Sequence, residues 1–167
     1  MKKRIISIFC LCALMLGMLI LTDSKVIASE NSMVKVDGSY LTYNDSSKGT
    51  TNSGIQTRGK HMMDGECSIT KAGRGRIYVY AATTANHDVD YLSTILYIDR
   101  YNAAKDSWDQ IDSWQVEDYN TYFLSTSKSL AVDRGYFYRV HADHAAGMDN
   151  EYPYDEATSF TDGIWID

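Results

Sequence analysis

The segment SLAVDRGYFYRVHA, residues 129–142, predicts a strand end, a tight turn and the start of a second strand. The first strand ends at Val132, residues 133–135 (Asp-Arg-Gly) mark the turn, and an aromatic strand follows directly. Side chains alternate between the two faces of a strand. They therefore form two sets: Tyr136, Tyr138 and Val140 on one face, and Phe137, Arg139 and His141 on the other. We expect one set in a hydrophobic core and the other on an outer or partly covered face.

The turn in this segment resembles a tyrosine corner. In immunoglobulin-like sandwiches, a tyrosine near the start of a strand forms a hydrogen bond with the backbone a few residues upstream. The sequence DRGYFYRV, residues 133–140, places Tyr136 and Tyr138 at suitable positions. One of these two tyrosines is therefore predicted to join the turn to the strand.

Two further segments, RIYVYAATT (76–84) and VDYLSTILYIDRY (89–101), alternate in the same way, with aliphatic residues on one face and tyrosines on the other. Turn signals recur about every ten residues, and the only stretches with helical spacing are too short for a helix of normal length. This pattern predicts an all-β fold, an antiparallel β-sandwich of immunoglobulin-like or related topology with about seven or eight strands. Residues 62–167 are the predicted sandwich domain. Trp108 and Trp114 share one parity and both suit the core, which leaves Ile111 out of phase unless a bulge intervenes.

The first 61 residues have a different character. Residues 1–28 combine a basic start, an apolar run and a short cleavage pattern ending at Ala28, which predicts a secretory signal peptide. An uncleaved membrane anchor is the alternative, because the apolar run approaches the length that spans a bilayer. Residues 29–61 include the polar run 44–60 and predict a flexible segment with one marginal edge strand at 40–43.

The charge of the chain limits its partners. Residues 1–28 hold four of the 16 Lys and Arg and one of the 22 Asp and Glu, so the remainder carries 12 and 21 and a formal charge of −9. Such a chain repels phosphate backbones and anionic lipid heads. We therefore expect no nucleic-acid partner and no membrane-embedded mature form, but an extracellular ligand, either a glycan or a protein. No cofactor is predicted.

Cys67 is the one cysteine that follows the predicted signal peptide. An intramolecular disulfide is therefore impossible in the mature chain. An intermolecular disulfide and a reactive thiol are both alternatives. Burial in the core is the commonest fate of a lone cysteine, and it is our prediction here.

His141 and His144 are the weak candidates for a metal site. They lie three residues apart, so in a continuous strand their side chains point to opposite faces and cannot bind one ion. The acidic loop DNEYPYDE (149–156) lacks the spacing of a known calcium loop. We therefore predict solvated loop residues at both places, with no metal site and no catalytic residue.

The tyrosines are the feature that stands out for binding. Tyr78, Tyr80, Tyr97 and Tyr101 lie on strand faces opposite the predicted core faces. Aromatic rings on an antiparallel sheet can stack on sugar rings or form a protein contact. The alternative is that they pair across strands and only stabilise the sheet. These four tyrosines are the predicted binding residues.

Two stretches, TTANHDVDYLSTILYIDRYNAAKDSWDQIDSW (83–114) and SKSLAVDRGYFYRVHADHAA (127–146), resemble small secreted proteins of unknown function from Gram-positive, clostridia-like bacteria. The similarity runs from about residue 62 to 166. It implies a secreted all-β domain. It implies no activity and no site residues.

The predicted function is that of a secreted, non-catalytic binding or surface-interaction module, extracellular or associated with the cell surface, with carbohydrate as one possible ligand. A small secreted toxin or bacteriocin-like factor is the alternative, with VDYLSTILYIDRY (89–101) as its only amphipathic segment. A metal-dependent hydrolase at His141 and His144 is the third hypothesis. It requires the two rings to converge on a further ligand.

Overall fold

A computed structural model describes residues 33–51 and 59–167, and in this part of the chain almost all regular structure is β. The eleven strands are β1 (Lys35–Val36), β2 (Ser39–Thr42), β3 (Ser46–Thr50), β4 (Met62–Lys71), β5 (Arg76–Val89), β6 (Tyr91–Asn102), β7 (Ser107–Asp118), β8 (Thr121–Ala131), β9 (Tyr136–Gly147), β10 (Asp155–Phe160) and β11 (Gly163–Ile166). The described residues contain no helix with the length and apolar character needed to cross a membrane. The predicted signal peptide, residues 1–28, lies outside the described residues.

The strands form two sheets. The larger sheet has the order β1-β2-β11-β9-β6-β7, with β10 also paired to β9, and the smaller sheet has the order β3-β4-β5-β8. All pairings are antiparallel except that of β11 with β2. The prediction of an all-β sandwich is therefore confirmed. The predicted number of strands was too low, because the short strands β1, β2, β3 and β10 have little apolar alternation.

Strand β9 holds the larger sheet together. It pairs with β6 along one edge, while β11 and β10 share the other edge, at residues 136–138 and 141–146 respectively. The predicted alternation of its side chains is confirmed: Tyr138 and Val140 are buried in the core, and Arg139 lies on the other face. Tyr136 follows the core parity, but at the strand end it remains exposed.

The core lies between the two sheets in two adjoining clusters. The larger cluster contains Cys67, Ile69, Ile77, Val79, Ala81, Leu96, Ile98, Tyr138, Val140, Ala142, Ile164 and Ile166. The smaller contains Met62, Ala85, Val89, Leu92 and Ala146. The predicted burial of Cys67 is confirmed, and this burial raises the pKa of its thiol to about 11. A thiol with so high a pKa is almost entirely protonated near neutral pH, so Cys67 is not a nucleophile.

Ile111 is the extra residue of a β-bulge in β7. Asp99 of β6 is paired with Gln110 and Ile98 with Asp112, so Ile111 has no partner in the register. A bulge of one residue reverses the parity of the strand beyond it. Trp114 therefore packs against the core, while Trp108 lies on the outer face, where its indole N–H donates to the Val36 carbonyl (3.0 Å). The expectation that both tryptophans are core residues is wrong for Trp108.

Within the segment 29–61, the predicted edge strand at 40–43 corresponds to β2, but the prediction of a flexible polar run is wrong for residues 46–50, which form β3. Strand β3 pairs with Glu66–Thr70 of β4, and Gly49 is buried against the backbone of Phe160. Backbone hydrogen bonds to a neighbouring strand need no apolar side chains, so a polar sequence can still form an edge strand. Residues 52–58, within the predicted polar loop, lie outside the described residues.

Gly49 tests this docking of β3. A Cβ atom at position 49 would lie 2.0 Å from the carbonyl oxygen of Phe160, which is backbone and cannot turn away. We expect Gly49→Ala to lower the free energy of unfolding by about 1–3 kcal/mol, measured by urea denaturation. Ser46→Ala, at an exposed position of the same strand, is the control and should change it by less than about 0.5 kcal/mol. Equal stabilities for the two variants would mean that β3 is not packed as described.

The predicted tyrosine corner is present. The hydroxyl of Tyr138 donates to the Asp133 carbonyl (2.8 Å), across the turn that carries the chain from β8 to β9. We expect Tyr138→Phe to lower the free energy of unfolding by about 1 kcal/mol, because one largely buried hydrogen bond is lost. Tyr136→Phe, at the exposed tyrosine of the same strand, should be nearly neutral. Chemical denaturation of the two variants measures the difference, and no difference between them would contradict a role for the corner.

Candidate functional site

The outer face of the larger sheet is covered by aromatic rings at one end. Five rings make contacts with centroid separations of 5.0–6.4 Å: Tyr43, Tyr101, Trp108, Phe137 and Trp165. Tyr101, Phe137 and Trp165 also line a cavity of about 380 Å³. This end of the face is therefore closely packed rather than an open flat surface.

A buried ion pair lies next to these rings. The Nε of Arg139 donates to Oδ2 of Asp99 (3.0 Å), and its Nη1 donates to the Asp37 carbonyl (2.9 Å) and to Oγ of Ser39 (3.0 Å). The guanidinium also lies 4.7 Å from the ring centre of Trp108. Burial by itself would raise the pKa of Asp99, but His141 and Arg139 together hold it below its usual value. With a further contact from Nη2 to Oδ2 of Asp37 (3.3 Å), four of the five N–H donors of Arg139 are used within the protein, so the side chain is a structural cation.

His141 extends this network along the sheet. Its Nδ1 lies 2.9 Å from Oδ2 of Asp99, and its ring is stacked on that of Tyr97 at 4.4 Å with planes 7° apart. Burial raises the pKa of Tyr97, and a hydrogen bond to Asp143 raises it further. The series from Asp99 through His141 and Tyr97 to Asp143 joins the buried ion pair to the far end of the face.

At that far end the outer face contains an open groove of about 590 Å³, called here the tyrosine groove. It crosses β6, β7, β9 and β10, and we define it by Tyr91, Ser93, Gln115, Asp143, Tyr154 and Glu156. Ile95 contributes an apolar patch to the lining. Most of these side chains project from strands whose backbone is paired in the sheet, so their positions are set before any ligand binds.

Tyr91 and Tyr154 form the aromatic wall of the groove, and Tyr119 and Tyr152 extend this series of rings beyond its lining. Tyr91 and Tyr154 are stacked at 5.1 Å with planes 22° apart, Tyr152 is stacked on Tyr154 at 4.7 Å, and Tyr119 lies 5.7 Å from Tyr91. A hydrogen bond with Tyr152 raises the pKa of Tyr154 to about 12. Tyr154 can lie over β9 because residue 147 is a glycine. A Cβ there would be 2.1 Å from the Tyr154 ring.

The polar lining is a chain of hydrogen bonds. The Tyr91 hydroxyl donates to Oε1 of Glu117 (2.9 Å), and the Gln115 amide donates to Glu117 and to Oγ of Ser93 (3.1 Å). On the opposite side, the hydroxyl of Thr158 donates to Oδ1 of Asp143 (2.9 Å). These bonds hold the side chains in fixed directions and leave oxygen acceptors facing the groove.

The loop between β9 and β10, which carries Tyr152 and Tyr154, is attached to the start of β4. Glu151 accepts hydrogen bonds from Lys60 and from Nε2 of His61 (3.1 Å), and Asp155 accepts the backbone N–H of Met62 (3.0 Å). A solvated acidic loop was predicted here. Glu151 remains exposed, as predicted, whereas Asp155 is half-buried and accepts the backbone N–H groups of His61 and Met62. Their role in the structure is to position the loop that holds Tyr152 and Tyr154.

The four predicted binding tyrosines do not form one surface. Tyr78 and Tyr80 lie on the outer face of the smaller sheet, while Tyr97 and Tyr101 lie on the outer face of the larger sheet. A single aromatic strip made from all four is therefore excluded, because the core separates the two pairs. Tyr97 reaches the tyrosine groove through Asp143, and Tyr101 lines the smaller cavity.

Tyr91 and Tyr154 were not among the predicted residues. Tyr91 has the same parity as Tyr97 and Tyr101 in segment 89–101, so its position on the outer face could have been found from the alternation. Tyr154 precedes β10 in a loop with no regular pattern, and no local signal places its ring over β9.

His141 and His144 are on opposite faces of β9, as predicted. Whereas His141 contacts Asp99 on the outer face, His144 is buried between the sheets, with Nδ1 2.7 Å from Oγ1 of Thr83 and Nε2 2.8 Å from Oγ of Ser159. The expectation that His144 is a solvated loop residue is wrong. The part of the chain that the structure describes holds no group of three or more His, Cys, Asp and Glu side chains able to bind a metal.

Hydroxyl groups contact both ring nitrogens of His144. Thr83 Oγ1 lies against Nδ1 and also contacts the Ser93 carbonyl (3.1 Å) and Thr94 Oγ1, while Ser159 Oγ lies against Nε2. Gly65 packs directly on this ring, where a Cβ would lie 2.4 Å from it. Burial lowers the pKa of His144 to about 4. The ring is therefore a neutral core group that joins the two sheets.

Comparisons of the chain with protein-family models, with curated proteins and with solved structures found no match. The resemblance to small secreted clostridia-like proteins therefore stays a prediction.

His144 should make the stability depend on pH. Below pH 6.5 the unfolded chain takes up a proton on this ring, while the folded protein stays neutral until about pH 4, so falling pH favours unfolding. Between these pH values the free energy of unfolding should fall by roughly 3 kcal/mol from this group. His144→Asn should be less stable near pH 7 but should lose much less stability over the same interval. Denaturation at a series of pH values gives the slope of the unfolding free energy against pH for the wild type and for the variant. Parallel slopes would contradict the role of His144 in the pH dependence.

Proposed function

We propose that this protein is a non-catalytic carbohydrate-binding module and that the tyrosine groove is its binding site. The observation that carries the proposal is the stacked pair of Tyr91 and Tyr154 beside the polar groups of Gln115, Asp143 and Glu156 in one open groove. Aromatic planes stack on the apolar faces of sugar rings, and planar amides and carboxylates form hydrogen bonds with sugar hydroxyls.

The size and construction of the groove support this function. Its volume of about 590 Å³ lies within the range of small-molecule sites. Most lining groups project from paired strands, and the hydrogen bonds of Gln115 and Asp143 already hold their directions. Little conformational entropy is then lost when a ligand binds, which favours recognition of a weakly interacting, polar ligand such as a glycan.

The location of the protein is part of the same proposal. We propose that the domain acts outside the cell, as the sequence of residues 1–28 predicts, and that it binds glycans at or near a cell surface. The excess of acidic groups in the remaining chain supports a ligand other than nucleic acid.

The position of segment 89–101 favours the binding module over the toxin. This segment is mostly β6, which is hydrogen-bonded to β7 on one edge and to β9 on the other. Its release from the sheet would break both ladders and expose Leu92, Leu96 and Ile98 of the core. A large part of the folding free energy opposes such a change.

Titration calorimetry with a panel of soluble oligosaccharides tests the proposal. We expect at least one oligosaccharide to bind, and Tyr154→Ala to weaken that binding by about tenfold or more, because a central aromatic contact is lost. Tyr78→Ala is the matched control, since this exposed tyrosine lies on the smaller sheet and should leave affinity unchanged.

Two results would contradict the proposal. One is the absence of heat with every sugar for a protein that unfolds cooperatively. The other is an equal loss of affinity in the two tyrosine variants, which would place the binding site outside the tyrosine groove. Release of reducing sugar during the titrations would mean that the protein hydrolyses the oligosaccharide, which would contradict a non-catalytic function.

A further inference from the structure

The side-chain donors that line the tyrosine groove are nearly all used within the protein. The Tyr91 hydroxyl and both amide hydrogens of Gln115 are engaged by Glu117 and Ser93, and the Thr158 hydroxyl is engaged by Asp143. A ligand that offers acceptors would therefore find few donors here. The groove selects a ligand that brings its own donors.

The polar groups of the tyrosine groove that remain available to a ligand are oxygen acceptors, and most of them are charged. The Glu156 carboxylate has no hydrogen-bond or ion-pair partner among the described residues, and Asp143 lines the same groove. The Gln115 amide uses its NH₂ group, which leaves its carbonyl oxygen as an acceptor. No Lys or Arg is among the groove residues of the described chain, and the one histidine at its edge, His144, is kept neutral in the core. The lining is thus anionic and poor in donors.

The tyrosine wall adds a second attraction for a positive charge. Ring faces carry partial negative charge and attract ammonium groups within about 6 Å of their centres. Tyr91 and Tyr154 line the same groove as the carboxylates of Asp143 and Glu156, so rings and carboxylates attract an ammonium group into one space. A neutral sugar can stack on the rings and donate hydroxyl hydrogen bonds to the acceptors, but it lacks the charge attraction to the carboxylates and the rings.

We propose that the ligand of the tyrosine groove is an amino sugar with free ammonium groups, such as an oligomer of glucosamine, rather than a neutral or N-acetylated sugar. This inference rests on the proposed carbohydrate-binding function and specifies the class of sugar. Glu156 and Asp143 are its specificity-determining residues, and the tyrosine rings supply the stacking surface.

Three β-1,4-linked hexamers of similar shape test the inference: those of glucosamine, N-acetylglucosamine and glucose. We expect the glucosamine hexamer to bind the full chain at least about tenfold more tightly than the other two by calorimetry at low salt. Its affinity should fall as salt is added, whereas that of the neutral hexamers should hardly change.

Substitutions that remove a carboxylate charge from the groove distinguish recognition of an ammonium group from carbohydrate binding in general. Glu156→Gln should weaken binding of the glucosamine hexamer about three- to tenfold and that of the glucose hexamer by a clearly smaller factor, because the amide keeps an oxygen acceptor for sugar hydroxyls but loses the negative charge. Asp143→Asn should act in the same direction. Asp45→Asn removes an equal charge at an exposed turn that does not line the groove, and it should have no effect on either hexamer.

The outcomes are distinguishable. Equal affinity for the three hexamers, with the loss in Tyr154→Ala retained, would overturn the amino-sugar inference and leave the carbohydrate-binding function intact. Absence of binding by all three, together with no binding across the wider panel, would overturn both. A preference for glucosamine that Glu156→Gln and Asp143→Asn leave unchanged would place the charge recognition outside the tyrosine groove and overturn the inference.

Discussion

The buried guanidinium of Arg139 is the constraint on which the outer face of the larger sheet depends. A buried cation is stable only when it is paired and its donors are satisfied. Arg139 is paired with Asp99 on the neighbouring strand β6, and it reaches across β11 to Asp37 and Ser39 near the N-terminal end of the described chain. The short β1–β2 hairpin is therefore held at the sheet by polar contacts, with a parallel pairing to β11 as its ladder. Loss of the guanidinium would leave the buried Asp99 carboxylate with the contact to His141 but without a permanent positive charge beside it.

Strand β9 connects this constraint to the rest of the molecule. Its outward side chains continue from Arg139 through His141 to Asp143, which reaches the tyrosine groove. Its inward side chains include Tyr138, which closes the β8–β9 turn, and His144, which joins the two sheets. One strand thus places a structural cation, a core hydrogen-bond centre and a groove carboxylate in a fixed spatial relation. Such rigidity suits a site that recognises its ligand without rearrangement.

The two ends of the outer face have different physical properties. At one end the rings of Trp108, Phe137 and Trp165 pack against each other around a smaller cavity. At the other end the tyrosines line a larger open groove in which the free polar groups are mainly acceptors. Aromatic residues therefore pack the sheet at one end and line the proposed binding groove at the other, the two roles that the sequence left open.

Local alternation within the sequence determined the long strands, the division of β9 into two faces, the tyrosine corner and the separation of His141 from His144, because these are properties of neighbouring residues along one strand. Tertiary structure alone decided which sheet each strand joins. For that reason Tyr78 and Tyr97, equivalent in the sequence pattern, lie on opposite sides of the sandwich. The bulge at Ile111 and the paired edge strand β3 also depend on partners distant in the chain. The contact of Tyr154 with Gly147 also depends on the tertiary structure. A loop has no regular alternation of side chains, so its sequence does not show which strand a ring will pack against.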